Sequence, residues 1–175
     1  MKTTPKEREE LIRRYTEGPV KLEAALSKVP REALKWRPAP DQWSIHEVIC
    51  HCGDAETVHA SRIRYLLAGD GPAITSFDDD RWLRALDYHS RPLAPEMAAI
   101  EGTRAATAAL LRLVPDTSWS AAGTHSEQGV YTAEDWLRGV AGHLHVHAQQ
   151  VEDNLAAWQA SLTANLRSDG LADVG

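Results

Sequence analysis

Cysteine is scarce in this sequence, and no run of apolar residues is long. The only cysteines among 175 residues are Cys50 and Cys52. Because they stand two apart in a segment with helical periodicity, their side chains diverge and cannot form a disulfide with each other. No stretch reaches the roughly 18 apolar residues of a membrane span, and the N-terminus lacks the apolar core of a secretory signal. We therefore expect no membrane association and a reducing, cytoplasmic location.

Clustered positive charge is also missing. The formal net charge is −6, and Lys and Arg form no run along the chain. Because a surface that follows nucleic-acid phosphates needs such clusters, nucleic acid is excluded as a partner. The content of 43% hydrophobic and 25% charged residues is that of a globular protein, and the length suits one core. We expect a single domain over residues 1–165 and a disordered tail over residues 166–175.

The sequence shows neither the alternation of strands nor an internal repeat, whereas apolar residues recur at helical spacing. A first helix is predicted over residues 5–28, with a kink or a division into two shorter helices at Gly18-Pro19, because proline removes a backbone donor and clashes with the preceding turn. A second helix begins at Ser44, where Ser44 and Glu47 form a capping-box pattern. It ends near residues 69–72, a segment that contains two glycines and a proline.

Two further helices complete the prediction. The third runs from Pro95 to about Val114 and the fourth from Thr132 to about Ser161. Residues 71–95, between helices 2 and 3, hold only a short helix at 78–86, and residues 116–131 are rich in turn formers and read as a loop. The pattern predicts an all-α fold, a four-helix bundle with a long connection between helices 2 and 3.

His143 and His147 are the first candidate site residues. Four positions apart on helix 4, they share its inward face, whereas His145 faces away. Two imidazoles one turn apart can converge on a transition metal; from this pair alone, core histidines hydrogen-bonded to groups such as Gln150 are an equally open alternative. His51, on the inward stripe of helix 2, offers a third imidazole and favours the metal.

Two motifs carry a family resemblance. In residues 43–56, tryptophan and serine precede His51 and an acidic residue, Asp54, follows it by three positions; residues 123–132 are followed by His143-x-x-x-His147-x-x-Gln150. In this order and spacing the chain resembles the DinB/YfiT-like metalloenzymes from about residue 18 to residue 158. The resemblance implies a bundle that binds one divalent ion, Zn or Ni, through His51, His143 and His147, with water at the open positions. The family includes thiol S-transferases, a mycothiol-dependent isomerase and hydrolases.

Other residues are weaker candidates. Glu47 and Asp54 each lie one turn from His51, and with Gln150 they could orient an imidazole, a partner that metal-bound histidines need; a solvated helix face is the alternative for the two carboxylates. His125 lies in a loop that could overhang the metal, as acid, base or substrate contact, or it is an ordinary surface histidine. Arg62 could meet an anionic substrate or lie at the rim. No role is predicted for four other histidines or for the two cysteines. These histidines are His46, His59, His89 and His145.

The functional prediction follows from the resemblance and the predicted site. We expect a metal-dependent thiol S-transferase acting on small electrophiles, because a metal-bound thiol loses its proton. A low-molecular-weight thiol would then be a second cofactor. The alternatives are a metal-dependent hydrolase of a small ester or amide and a non-catalytic metal-binding stress protein. We also expect a homodimer, since Trp82 and Trp119 lie on connections that cannot both be deep inside the bundle, and exposed aromatic surface of that kind usually marks a partner or ligand site.

Overall fold

The computed structural model describes residues 3–69 and 71–172, and for residues 167–172 it describes the backbone alone. Helices dominate it. In chain order they are α1 (Pro5–Leu26), α2 (Ile45–Ala68), α3 (Asp79–Ala85), α4 (Leu93–Leu111), α5 (Ala133–Val140) and α6 (His143–Ala172), with a 3-10 helix at Asp116–Ser120. The bundle consists of α1, α2, α4 and the α5–α6 pair, packed around two apolar clusters. The predicted four-helix bundle is confirmed. None of the described helices has the apolar length that a membrane crossing requires.

A small sheet was not predicted. Strands β1 (Ala73–Ile74), β2 (Ala122–His125) and β3 (Gly129–Thr132) form it in that order, with β1 parallel to β2 and β2 antiparallel to β3. At two to four residues each, the strands are too short to show a period of two. The sheet joins the long connection after α2 to the loop before α5, so both lie at the same end of the bundle.

The predicted fourth helix is divided in the structure. The chain turns at Ala141 and Gly142, so that α5 ends at Val140 and α6 begins at His143. A Cβ atom at Gly142 would lie 3.0 Å from the Arg14 guanidinium, so glycine gives Arg14 room against this turn. α6 continues through residues 166–172, where the sequence predicted a tail, and residues 173–175 lie outside the described part of the chain.

Helix α1, by contrast, does not divide into two shorter helices at Gly18-Pro19, which was one of the two outcomes predicted there. It passes through Pro19 without ending. Proline has no N–H, so the carbonyl of Tyr15, four residues earlier, loses its helical donor. The Arg104 side chain of α4 replaces that donor: its Nη1 donates to the Tyr15 carbonyl over 2.6 Å. Gly18 makes the approach possible, because a Cβ atom there would lie 2.9 Å from the same Nη1.

Two tryptophans on connections were expected not to be both deep inside the bundle, and the structure buries Trp119 but not Trp82. Trp119 is 2% exposed and belongs to an apolar cluster, and the Arg8 guanidinium lies 4.9 Å from the centre of its ring. The 3-10 helix turns this side chain inward, which turn composition alone does not reveal. Trp82 is half-buried and stacks on Phe77 with 4.4 Å between ring centroids.

Candidate metal centre

Three histidines meet at the base of a cleft between α2 and α6. The α2 side of the cleft carries His51, His59 two turns later and Arg62 about one turn after that, and the α6 side carries His143 and His147. The capping box at Ser44 and Glu47, confirmed in the structure, fixes where α2 begins and therefore which of its residues face the cleft.

The His51, His143 and His147 rings are close enough to share one ion. One ring nitrogen of each lies within 4.8 Å of the others, and the Nε2 atoms of His143 and His147 are 3.1 Å apart. Ligands about 2.0–2.1 Å from a tetrahedral ion are separated by about 3.3 Å. The cluster therefore has the dimensions that a divalent ion requires.

The chemistry of these rings also fits an ion. His51 is 4% exposed, and its Nδ1 is buried without a hydrogen-bond partner in the part of the chain that the structure describes. A buried nitrogen of this kind costs free energy that ligation recovers. Burial and the neighbouring imidazoles lower the pKa of His51 to about 3 and that of His147 to about 4. Both rings are thus neutral at physiological pH, the form in which imidazole binds a metal.

Gln150 contacts one of the three histidines. Its Oε1 is 2.9 Å from His147 Nδ1, so the ring nitrogen donates and the amide oxygen accepts. This bond leaves the Nε2 lone pair of His147 directed at the cluster. Histidines that bind a metal usually donate their other ring N–H to an acceptor oxygen in this way.

Among the described residues, Glu47 and Asp54 form no hydrogen bond or ion pair with the three histidines. Glu47 is fully buried, but its carboxylate bonds the Ser44 backbone N–H at 2.8 Å and pairs with Arg37. Asp54 pairs with Arg91 over 2.7 and 3.0 Å. The reason is geometric, because each carboxylate forms an ion pair with an arginine from a neighbouring loop, and this pairing directs it away from the cleft.

Glu56 occupies the position beside the histidines that those two residues were expected to take. It is fully buried, pairs with the buried Arg104, and places Oε1 3.6 Å from His143 Nδ1. Burial alone would raise the pKa of Glu56, but the nearby His143 ring and the Arg104 guanidinium outweigh it and lower the pKa to about 2. Sequence reasoning missed Glu56, although it stands five residues after His51. Its signal was that three of the residues one turn away on the same helix face, Cys52, Gly53 and Ala60, are apolar or small.

His59 also lies at the site, although the sequence predicted no role for it. It lies two turns after His51, lines the cleft, and packs edge-on against His143 with 5.2 Å between ring centroids. Its Nδ1 is buried without a hydrogen-bond partner among the described residues, and burial lowers its pKa to about 3. Helical spacing from His51 would have identified it. His145 lies outside the cluster, as predicted.

His125 and Arg62 both line the cleft. The Nδ1 of His125 accepts a bond from the Glu127 backbone N–H at 3.2 Å, so the neutral ring carries its proton on Nε2. Arg62 donates to the Thr75 carbonyl and lies over the Phe77 ring at 5.5 Å. His125, which was predicted to lie in a loop, is thus buried in β2. Arg62, which was predicted to contact substrate, already makes contacts within the protein.

The cleft is large and its rim is acidic. Its volume is about 1190 Å³. Asp79, at the start of α3, places Oδ1 3.6 Å from His51 Nδ1, and burial raises its pKa. Four carboxylates lie along the lining, namely Asp41, Asp79, Glu127 and Asp153. Because Asp79 reaches the site from a distant connection, no local pattern could have predicted it.

Fold and site together define a class: a helical bundle with a cluster of three histidines at the base of a cleft between two helices. The family model of the DinB superfamily matches residues 14–151, and the chain belongs to that superfamily. The resemblance drawn from the two sequence motifs is thereby confirmed.

Relatives agree with this assignment. A protein of Geobacillus thermodenitrificans (strain NG80-2) named "Putative metal-dependent hydrolase" is 28% identical over 110 residues, which cover 63% of this chain and 62% of that protein. A protein of the same description in Geobacillus kaustophilus (strain HTA426) is 26% identical over 58% of this chain and 57% of its own. The matches thus span less than two thirds of these relatives.

The fold has a counterpart among solved structures. YfiT from Bacillus subtilis, described as having an unusual four-helix bundle topology, matches with a TM-score of 0.81 and 21% identity over 87% of this chain and 88% of that chain. At this level of identity the likeness supports the fold.

Proposed function

We propose that the chain is a metal-dependent hydrolase that binds one divalent ion, Zn or Ni, through His51, His143 and His147. The observation that carries the proposal is the convergence of three imidazoles at the base of one open cleft. Three histidine ligands leave a coordination position free, as catalytic rather than structural sites do. The names of the two Geobacillus relatives support the reaction class.

The protein groups around the ion have separate tasks. When bound, the ion would polarise a substrate carbonyl or lower the pKa of a water molecule. Asp79, its pKa raised by burial, is placed to accept a proton. His125, protonated on Nε2 when neutral, is placed to donate a hydrogen bond to substrate. Gln150 keeps His147 in its ligand tautomer.

Transfer of a small thiol to an electrophile is the second candidate function, and one observation favours it. Ligand pockets commonly occupy about 300–1,000 Å³, and this cleft exceeds that range. It has room for a low-molecular-weight thiol beside a second small molecule. No described residue of the cleft identifies which thiol would bind.

Metal analysis followed by two activity assays tests the proposal. The wild type should carry one Zn or Ni per chain, and His51→Ala, His143→Ala or His147→Ala should lose most of it, whereas His145→Ala keeps it because that ring points elsewhere. Zn-loaded protein should then hydrolyse an aryl ester without added thiol. Turnover only with a thiol and an alkyl halide would favour the transferase, and absence of metal from the wild type would refute both.

A further inference from the structure

The Glu56 carboxylate is held in one orientation deep in the bundle. Its Oε2 accepts from Arg104 Nε at 2.7 Å, and its Oε1 accepts from Arg104 Nη2 at 2.6 Å. Both side chains are almost fully buried, at 0 and 1% exposure. A two-point bond of this geometry fixes the plane of the carboxylate as well as its position.

Arg104 is itself fixed by groups from two other helices. Its Nη1 donates to the Tyr15 carbonyl in α1 and its Nη2 to the carbonyl of Val140, the last residue of α5, at 3.3 Å. The Tyr15 ring lies 3.9 Å from the guanidinium carbon. The carboxylate is therefore located relative to α1, α2, α4 and α5 at once.

His143 lies between this carboxylate and the histidine cluster. Its Nε2 faces His147 Nε2 at 3.1 Å, and its Nδ1 is 3.6 Å from Glu56 Oε1. Within the described part of the chain, that Nδ1 is buried and has no formed hydrogen bond. Histidines that bind a metal through one nitrogen generally donate the other N–H to a carboxylate, carbonyl or water.

We propose that Glu56, held by Arg104, is a positioning residue for His143: it accepts the Nδ1 proton and so keeps Nε2 as the ligand atom. The inference rests on the proposed metal centre and adds to it the residue that sets the tautomer and orientation of one ligand. The buried Glu56–Arg104 ion pair would then orient a metal ligand in addition to stabilising the fold.

A second cation site is the competing interpretation of the same residues. Glu56, His59 and His143 also bring ligand atoms within 4.8 Å of one another. Both Glu56 oxygens, however, already accept from Arg104. A second divalent ion would lie beside a guanidinium that cannot give up its charge, so repulsion opposes it. One ion per chain is the expected stoichiometry.

Glu56→Gln and a matched control test the role. Glu47→Gln is the control, because Glu47 is equally buried, lies in the same helix and also pairs with an arginine, Arg37. Zn²⁺ affinity is measured by competition with a chelator, well below the melting temperature of each variant. Glu56→Gln should weaken binding about 10- to 100-fold, and Glu47→Gln by less than about threefold. Equal weakening in both would mean a merely structural role and would overturn the inference.

Wild-type protein supplies a readout that needs no variant to fold. Long-range ¹H–¹⁵N correlation of Zn-loaded protein should show His143 protonated on Nδ1 and metal-bound through Nε2. Ligation through Nδ1, or two ions per chain with one lost in His59→Ala, would overturn the inference. Normal Zn²⁺ binding with unchanged affinity in Glu56→Gln would refute only this role, whereas a wild type that binds no Zn²⁺ would refute the proposed centre and the role together.

Discussion

Replacing Arg104 by methionine should destabilise the protein severely. Methionine keeps much of the length of the side chain but removes the charge, which leaves the Glu56 carboxylate fully buried and without its cation. Removing one partner of a buried ion pair costs about 3–5 kcal/mol. For a chain of this size, each kcal/mol shifts the melting temperature by about 2–4 °C, so the expected loss is about 6–20 °C.

The double variant Arg104→Met with Glu56→Met separates charge from packing. Exchanging both partners for apolar groups removes the unpaired charge, which is often neutral for stability. The Tyr15 and Val140 carbonyls would still lose their Arg104 donor, and an unsatisfied buried acceptor costs about 1–3 kcal/mol. We therefore expect the double variant to be more stable than Arg104→Met and less stable than the wild type.

Urea unfolding of chelated protein, followed by circular dichroism, measures these free energies. Arg112→Met is the matched control, since Arg112 directly follows the last residue of the same helix and also reaches α1, through Thr16, but is exposed; its effect should stay within about 0.5 kcal/mol. A loss below about 1 kcal/mol in Arg104→Met, or a double variant weaker than the single one, would refute the reasoning.

Three further predictions concern the histidines and the assembly. In chelated protein the free energy of unfolding should fall as pH drops from 7 to 4. Burial lowers the pKa of His51 and His59 to about 3 and that of His147 to about 4. Because these histidines have their ordinary, higher pKa in the unfolded chain, the unfolded chain binds protons first. Each ring contributes at most about 1.4 kcal/mol per pH unit, and a flat profile would mean that the rings are exposed. Zn²⁺ should raise the melting temperature of chelated protein, by the equivalent of about 4 kcal/mol at a thousandfold excess over Kd; calorimetry should find this gain in His145→Ala and not in His51→Ala. Light scattering at micromolar concentration should report a homodimer, and the mass of one 19.3 kDa chain would contradict it.

The sequence predicted features that depend on neighbouring residues of one helix, but not contacts between residues far apart in the chain. The capping box of α2 and the four-residue spacing of His143 and His147 are properties of single helices, and the structure brings these rings together with His51 as expected. Asp79 lies beside His51 through a long connection, and such proximity has no local pattern. Glu56 was overlooked because a glutamate within a helix reads as a solvated residue until its arginine partner, 48 positions away, is known.

The Pro19 position in α1 bears on how this protein could be engineered or could diverge. By helix propensity alone, alanine at Pro19 would gain about 3 kcal/mol and alanine at Gly18 about 1 kcal/mol. Here alanine at 19 would give the Tyr15 carbonyl a helical N–H in competition with Arg104, and a methyl at 18 would lie 2.9 Å from the guanidinium. A designer who regularised the helix would therefore displace the arginine that holds Glu56. We therefore expect Gly18, Pro19 and Arg104 to be coupled in evolution, so that a substitution at one position is tolerated only together with substitutions at the other two.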